Sequence, residues 1–325
     1  MDVLADQRLV TLDEIREAAR RIARVALRTP LLAWDDSTWL KPESLQPIGA
    51  FKIRGAYNKI AGLTDDERAR GVITYSSGNH AQAVARAARL LGCRALIVMP
   101  DDAPRVKVEG VRRDGAEIVF TPPGSEERHR VAMELAERHG YVMVEPYDDP
   151  AIVAGQGTCG LEIVEELREV TTVLVPVSGG GLSAGIATAV KELRPEARVW
   201  GVEPELAADA RESLESGELV RWPAERTNRT MADGLRTQSL GRLPFLQLRR
   251  YLDGIVTVSE AEIADAVRQL AARARLVVEP SGAATAAAHF AGRVPPREGE
   301  RRVLVVSGGN VDPDRFARIL AGAEA

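Results

Sequence analysis

Lys52 lies in the stretch KPESLQPIGAFKIRGAYNKI, between Gly49 and Gly55 and beside Ala50, Phe51 and Ile53. A lysine withdrawn from water has a lowered pKa, and its neutral amine can attack a carbonyl to form a Schiff base. Amphipathic helices also lay lysine stems along apolar surface, so these neighbours alone do not separate a nucleophile from a surface residue. Three other stretches, VITYSSGNHA, VLVPVSGGGL and VLVVSGGNVD, run from β-branched residues into serine and glycine. Glycine lets backbone N–H groups approach a ligand without a Cβ in the way, and a following helix points its positive end at the same place. Any one of them could be only a tight connection; three suit one polar ligand gripped from several sides. Gly179, Gly181 and Ala184 also satisfy the dinucleotide fingerprint G-x-G-x-x-G/A. Glu203 follows about where its ribose-binding acid would stand. An NAD-dependent oxidoreductase would use that loop, but would leave Lys52, the SSGNH turn and Ser307 idle.

These residues need a scaffold, and short apolar strands alternate with amphipathic helices along nearly the whole chain. GVITYSS precedes NHAQAVARAARLLG, CRALIVMP precedes a helix around 105–114, and AEIVFTP precedes SEERHRVAMELAERHG. YVMVEPY, a helix around 160–169, TTVLVPVS, a helix around 182–193, ARVWGVEPE and a last strand in ERRVLVVSGG follow. This alternation predicts an α/β protein with two open, mostly parallel twisted sheets covered by helices. Residues 72–147 form a compact run between LTDDERARG and YDDPAIVAGQG, so they are expected to be a small domain inserted into a large one made of 1–71 and 148–325. Ligands of such sheets bind at the carboxyl ends of strands.

Composition narrows the partners. The chain has 325 residues, is 45% hydrophobic and 28% charged, and carries a net charge of −4. Such a chain is not drawn as a whole to nucleic acid or an anionic bilayer, and no apolar run is long enough to span one. The N-terminus has no apolar core of the kind a signal peptide needs. Cys93 and Cys159 form no motif and read as buried apolar residues, and the four histidines do not cluster. A cytoplasmic protein acting on a small molecule is the expectation.

The stretch KPESLQPIGAFKIRGA resembles the lysine motif of the serine/threonine dehydratase and serine racemase family, pyridoxal-phosphate (PLP) enzymes of the tryptophan-synthase-β fold type. SSGNHAQAVA, AIVAGQGTCGLEI, PVSGGGLSAG, MADGLRT, EPSGA and VVSGGNVD follow in that family's order, over about residues 20–315. The resemblance implies a cofactor in the cleft between the two domains. Lys52 would hold PLP as a Schiff base and serve as the base once substrate displaces it. Phe51 and Asn79 would line the ring, with Asn79 on its 3-oxygen. The backbone of Gly179, Gly180, Gly181 and Leu182 would cradle the phosphate, and Ser307 would meet the pyridine nitrogen. Ser76, Ser77, Asn79 and His80 would receive the substrate carboxylate, with Ser77 across the cofactor plane from Lys52, where a racemase has its second acid/base. Glu203, the carbonyl of Ala207 and Asp209 match the family's divalent-cation site, with oxygen ligands suited to Mg²⁺ or Mn²⁺; Glu203 and Asp209 also read as an acid pair at a helix start. Arg128 falls where the family can place an arginine near the distal end of the substrate; the alternative is a helix-surface arginine. The family suggests a homodimer or a tetramer. Ending soon after the Ser307 strand, the sequence is expected to be closer to a single-module catabolic type than to biosynthetic threonine dehydratases with a C-terminal regulatory domain.

Two departures bear on substrate choice. The family's T-G-S-F-K-x-R-G is I-G-A-F-K-I-R-G here, so Ile48 and Ala50 lack two hydroxyls near Lys52, and the phosphate loop begins with Ser178 instead of glycine. A serine at the pyridine nitrogen is neutral and delocalises a carbanion less than a carboxylate partner would, which favours prompt loss of a β-substituent. The expected reaction is dehydration and deamination of L-threonine and/or L-serine to a 2-oxo acid and ammonia, with the cofactor phosphate giving a proton to the leaving hydroxyl. The alternatives are serine racemisation, 3-hydroxyaspartate dehydration, the NAD-dependent oxidoreductase and a non-catalytic small-ligand sensor; an intact Lys52 argues against the last.

Overall fold

A computed structural model describes residues 8–76, 78–122 and 125–324. Among the described residues ten strands form two sheets: β1 (Leu32–Ala33), β2 (Thr38–Pro42), β3 (Val72–Tyr75), β4 (Ala95–Pro100), β5 (Glu117–Thr121), β6 (Val142–Met143), β7 (Thr172–Pro176), β8 (Arg198–Pro204), β9 (Gly254–Val258) and β10 (Arg302–Val306). The larger sheet has the order β1-β2-β10-β7-β8-β9 and the smaller one β5-β4-β3-β6. Every pairing is parallel except β1 with β2. All five residues of β7 and of β10 are buried, because helices cover both faces of the sheet there. Both sheets have the expected α/β, mostly parallel architecture, and all four strands of the smaller one come from residues 72–143.

Two local expectations fail. Instead of a helix beginning near residue 160, one helix runs from Pro150 to Glu166. Asp149 caps its first turn by accepting from Ala151 N at 2.8 Å and Ile152 N at 3.1 Å, and Pro150 fits the opening position. Its glycines are packing contacts, not loop residues: a Cβ on Gly155 would lie 2.6 Å from Gly55 Cα, and one on Gly157 would lie 2.7 Å from Ile15 Cδ1. The strand expected in YVMVEPY shrinks to β6, and Val144–Tyr147 instead forms a crossing segment toward the helix Pro150–Glu166.

The helix Ile53–Ala61 follows Lys52 directly and is anchored by a fully buried arginine. Arg54 donates to Glu43 at 2.7 and 2.8 Å and to Glu162 at 2.6 and 2.8 Å, while the buried Lys41 reaches Glu162 at 2.6 Å. Buried charges hold together only when their hydrogen-bonding needs are met; removing one partner costs about 3–5 kcal/mol. This quartet fixes the start of the helix relative to β2 and the helix Pro150–Glu166, and so fixes the backbone that carries Lys52.

Candidate active site

β2, β10 and β7 are adjacent and parallel, so the segments after them emerge side by side. Phe51 N donates to Ser307 O at 3.1 Å, Gly309 N donates to Gly49 O at 2.8 Å, and Ala50 pairs with Gly308. Ser307 therefore sits beside the lysine motif although 255 residues separate it from Lys52. The departure in the lysine motif lies here: Ile48 offers its carbonyl to Asn310 Nδ2 at 2.8 Å, and Ala50 contributes backbone pairing.

The Lys52 amine donates to the carbonyl of Pro146 at 2.7 Å and lies 5.2 Å from the centre of the Phe51 ring. Burial pushes its pKa down to about 8. Near neutral pH it therefore supplies far more neutral nucleophile than an ordinary lysine.

Asn79 begins the helix Asn79–Leu90 and joins two loops. Its Nδ2 donates to Glu279 Oε1 at 2.5 Å and its Oδ1 accepts from Asn310 at 2.9 Å. One amide hydrogen of Asn79 remains for a ligand. Glu279 is held by Lys107, which reaches it at 3.0 Å and Asp233 at 2.5 Å. Burial opposes the charge on Lys107, but the two carboxylates overcome it and raise its pKa.

In the segment expected to receive the substrate carboxylate, Ser76 Oγ accepts from Gly78 N at 3.1 Å, and His80 is buried. The Nε2 of His80 donates to Val144 O at 3.0 Å. Burial, helped by the charge of Lys52, pushes the His80 pKa down to about 3, so the ring is neutral. Its Nδ1 is buried without a hydrogen-bond partner. Ser77 lies outside the described residues.

The glycine loop opens the helix Gly181–Leu193, with Gly180 in the left-handed region at φ +91°. The first N–H groups of a helix lack intrahelical partners and suit an anion. A Cβ on Gly179 would lie 2.3 Å from the Tyr147 ring, so only glycine fits the loop there. The Ser178 hydroxyl, which replaces the usual glycine, pairs with Thr237 Oγ1 at 2.6 Å. The loop, the enclosed amine and the Ser307 strand end together fit a phosphate-bearing aldehyde cofactor.

The acid pair is more mixed. Glu203 accepts from Ala210 N at 3.1 Å and Arg211 N at 2.8 Å, so it caps the helix Asp209–Ser216. Asp209 Oδ2 is buried with no partner. Burial and the charge of Asp209 raise the pKa of Glu203, and burial raises that of Asp209 to about 7. A cation would relieve both, although no group of three His, Cys, Asp or Glu side chains suited to a metal occurs among the described residues.

Sequence reasoning passed over a cluster at the ends of β3 and β6. The Tyr75 hydroxyl donates to Glu145 Oε2 at 2.8 Å, and the Tyr75 ring packs edge-on against His129 at 4.9 Å. Next to His129, Arg128 is partly buried with its Nε unpartnered, and burial lowers its pKa. Tyr75 directly precedes the serine turn, and that adjacency was the one available signal. Lys107 had none.

Comparison with known proteins decides between the cofactors. Residues 22–308 match the family model described as pyridoxal-phosphate dependent enzyme. The chain belongs to that family. The L-threo-3-hydroxyaspartate ammonia-lyase of Saccharomyces cerevisiae is 40% identical over 97% of both chains. The L-threonine ammonia-lyase of Thermotoga maritima is 41% identical over 96% of this chain and 78% of that one. Maize serine racemase has the same fold with a TM-score of 0.85 or better, namely 0.89, at 37% identity over 97% of this chain and 98% of that one. The family is thus one of PLP-dependent ammonia-lyases and racemases, and the dinucleotide fingerprint in the glycine loop was a coincidence of spacing. Among the described residues no helix is long and apolar enough to cross a membrane.

Proposed function

We propose that the protein is an ammonia-lyase for β-hydroxy-α-amino acids, converting L-threonine and/or L-serine to 2-oxobutanoate or pyruvate and ammonia. The observation that carries this reading is the junction of Phe51 N with Ser307 O at 3.1 Å, which joins the strand end bearing the neutral Ser307 to the backbone of the lysine motif. When bound, PLP acidifies the Cα proton by accepting electron density. Lys52 carries the cofactor and takes that proton as the neutral amine its lowered pKa supplies. Gly179, Gly180, Gly181 and Leu182 bind the phosphate, Ser307 meets the ring nitrogen and Asn79 the ring oxygen, with Phe51 packed beside the ring. Ser76, Ser77, Asn79 and His80 bind the substrate carboxylate. Residues 72–147 act as a small domain against the rest of the chain, with the cleft between them.

One observation favours a second substrate. The buried, unpartnered Nε of Arg128 suits a substrate with a distal carboxylate, and 3-hydroxyaspartate has one. Racemisation rests on Ser77 as the acid on the opposite face. Glu203, the Ala207 carbonyl and Asp209 would hold Mg²⁺ or Mn²⁺ as a structural ion. A cytoplasmic homodimer or tetramer completes the reading. A 2-oxo-acid release assay with both enantiomers of serine, threonine and 3-hydroxyaspartate tests it: the L-hydroxy acids should release product. Arg128→Ala should lower kcat/KM for 3-hydroxyaspartate by roughly ten- to a hundredfold, as loss of a charged contact does, with little change for threonine. No 2-oxo acid from any of them would sink the proposal.

A further inference from the structure

The segment Val144–Pro146 makes side-chain-mediated contacts out of proportion to its length. Val144 N donates to Ile73 O at 2.9 Å, which continues the register of β6 beside β3. The carbonyl of Val144 accepts twice, from Thr74 Oγ1 at 2.7 Å and from His80 Nε2 at 3.0 Å. The Glu145 carboxylate accepts from the Tyr75 hydroxyl at 2.8 Å. The carbonyl of Pro146 accepts from the Lys52 amine at 2.7 Å. Of the three donors, Thr74 and Tyr75 on β3 directly precede the Ser76–His80 turn and His80 closes it. The lysine and the carboxylate-binding turn are therefore fixed to the same three residues.

We infer that Val144–Pro146 is the holder of the Lys52 amine whenever that amine is not joined to the cofactor, and that Tyr75 and Glu145 are positioning residues that keep the holder in place. The inference rests on the proposed role of Lys52. A lysine released from a Schiff base has four side-chain torsions to order, and a fixed acceptor limits the positions it explores. The carbonyl accepts from either protonation state and more strongly from the ammonium, so it also suits the amine that has just taken a proton. Tyr75 steadies the segment from β3. Glu145 faces that phenol, His129 from the helix Ser125–His139, and Asp148 and Asp149 from the loop beyond it. Among these, Tyr75 donates the hydrogen bond to the Glu145 carboxylate, so removing its hydroxyl loosens the segment without adding a charge.

The test uses cofactor-free protein. The rate of PLP capture is followed by absorbance across pH for the wild type, Tyr75→Phe, Glu145→Ala, Glu145→Gln and Lys52→Ala, with the melting temperature of each. The wild-type rate should rise through pH about 8, the pKa to which burial lowers Lys52. In Tyr75→Phe and Glu145→Ala the amine escapes toward water, so the midpoint moves up toward the ordinary lysine value. In the loaded enzyme kcat falls roughly tenfold, the scale of a small misplacement of a reacting group, with KM little changed. Glu145→Gln keeps an acceptor for the phenol and returns the midpoint to that of the wild type. Unchanged midpoints and kcat in Tyr75→Phe and Glu145→Ala, with only a lower melting temperature, overturn the holder and leave the role of Lys52 intact. Capture by Lys52→Ala equal to that of the wild type overturns the role of Lys52 itself, and the holder with it.

Discussion

Lys52 and Lys107 are two lysines near one turn, and the groups facing their amines differ in kind. Lys52 offers its amine to a neutral carbonyl, Pro146 O, and burial alone sets its pKa, about 8. Lys107 runs beneath Gly78, where an added Cβ would lie 2.8 Å from its Cδ, and it ends between Asp233 and Glu279. Burial works against both charges, yet Lys107 is locked as a cation while Lys52 is ready to lose its proton. Enclosure makes a lysine reactive only where no carboxylate accompanies it.

Three experiments strain that contrast, in order of expected effect. Lys107→Met strands the Asp233 and Glu279 carboxylates in a buried site and should cost about 3–5 kcal/mol in urea unfolding. If the variant unfolds at the wild-type midpoint, Lys107 is no structural cation and the contrast fails. Glu203 and Asp209 supply the inverse case, two neighbouring buried acids whose pKa values burial raises. The folded protein holds their protons more tightly than the unfolded chain does, up to a pKa of about 7 at Asp209. In chelator, the stability they contribute is whole below the ordinary carboxylate pKa and is lost as pH rises to about 7, on the order of 4 kcal/mol. Melting curves in chelator should show that decline, and Mg²⁺ or Mn²⁺ should flatten it; a flat curve in chelator contradicts the paired burial. At the exposed extreme, Arg130 bonds to Glu127 and Glu134 on a helix surface, and screening leaves such pairs little weight. Arg130→Ala should leave the melting temperature unchanged within error; a clear drop would mean that surface pairs matter here as buried ones do.

Whatever is local in this fold and site is legible in the sequence. The strand–helix alternation, the glycine turns at the strand ends and the apolar setting of Lys52 each depend on neighbours within a few residues. The helix Pro150–Glu166 misleads because its glycines look like loop residues until the facing helix backbone is known. Tyr75 and Glu145 are 70 residues apart and meet only because β3 and β6 are adjacent strands. Lys107, Asp233 and Glu279 belong to three distant segments, and no spacing foretells their meeting. The EPSGA motif contains Glu279, but its partner Asn79 lies 200 residues away.

The account turns on Lys52 as the residue that carries the cofactor. Its most direct test is the visible absorbance of protein purified in the presence of PLP and then desalted, wild type beside Lys52→Ala. The account predicts a band that survives desalting in the wild type, disappears on borohydride reduction and leaves a reduced adduct on the peptide containing Lys52, with neither band nor turnover in Lys52→Ala. A variant that keeps both the band and 2-oxo-acid release would contradict it.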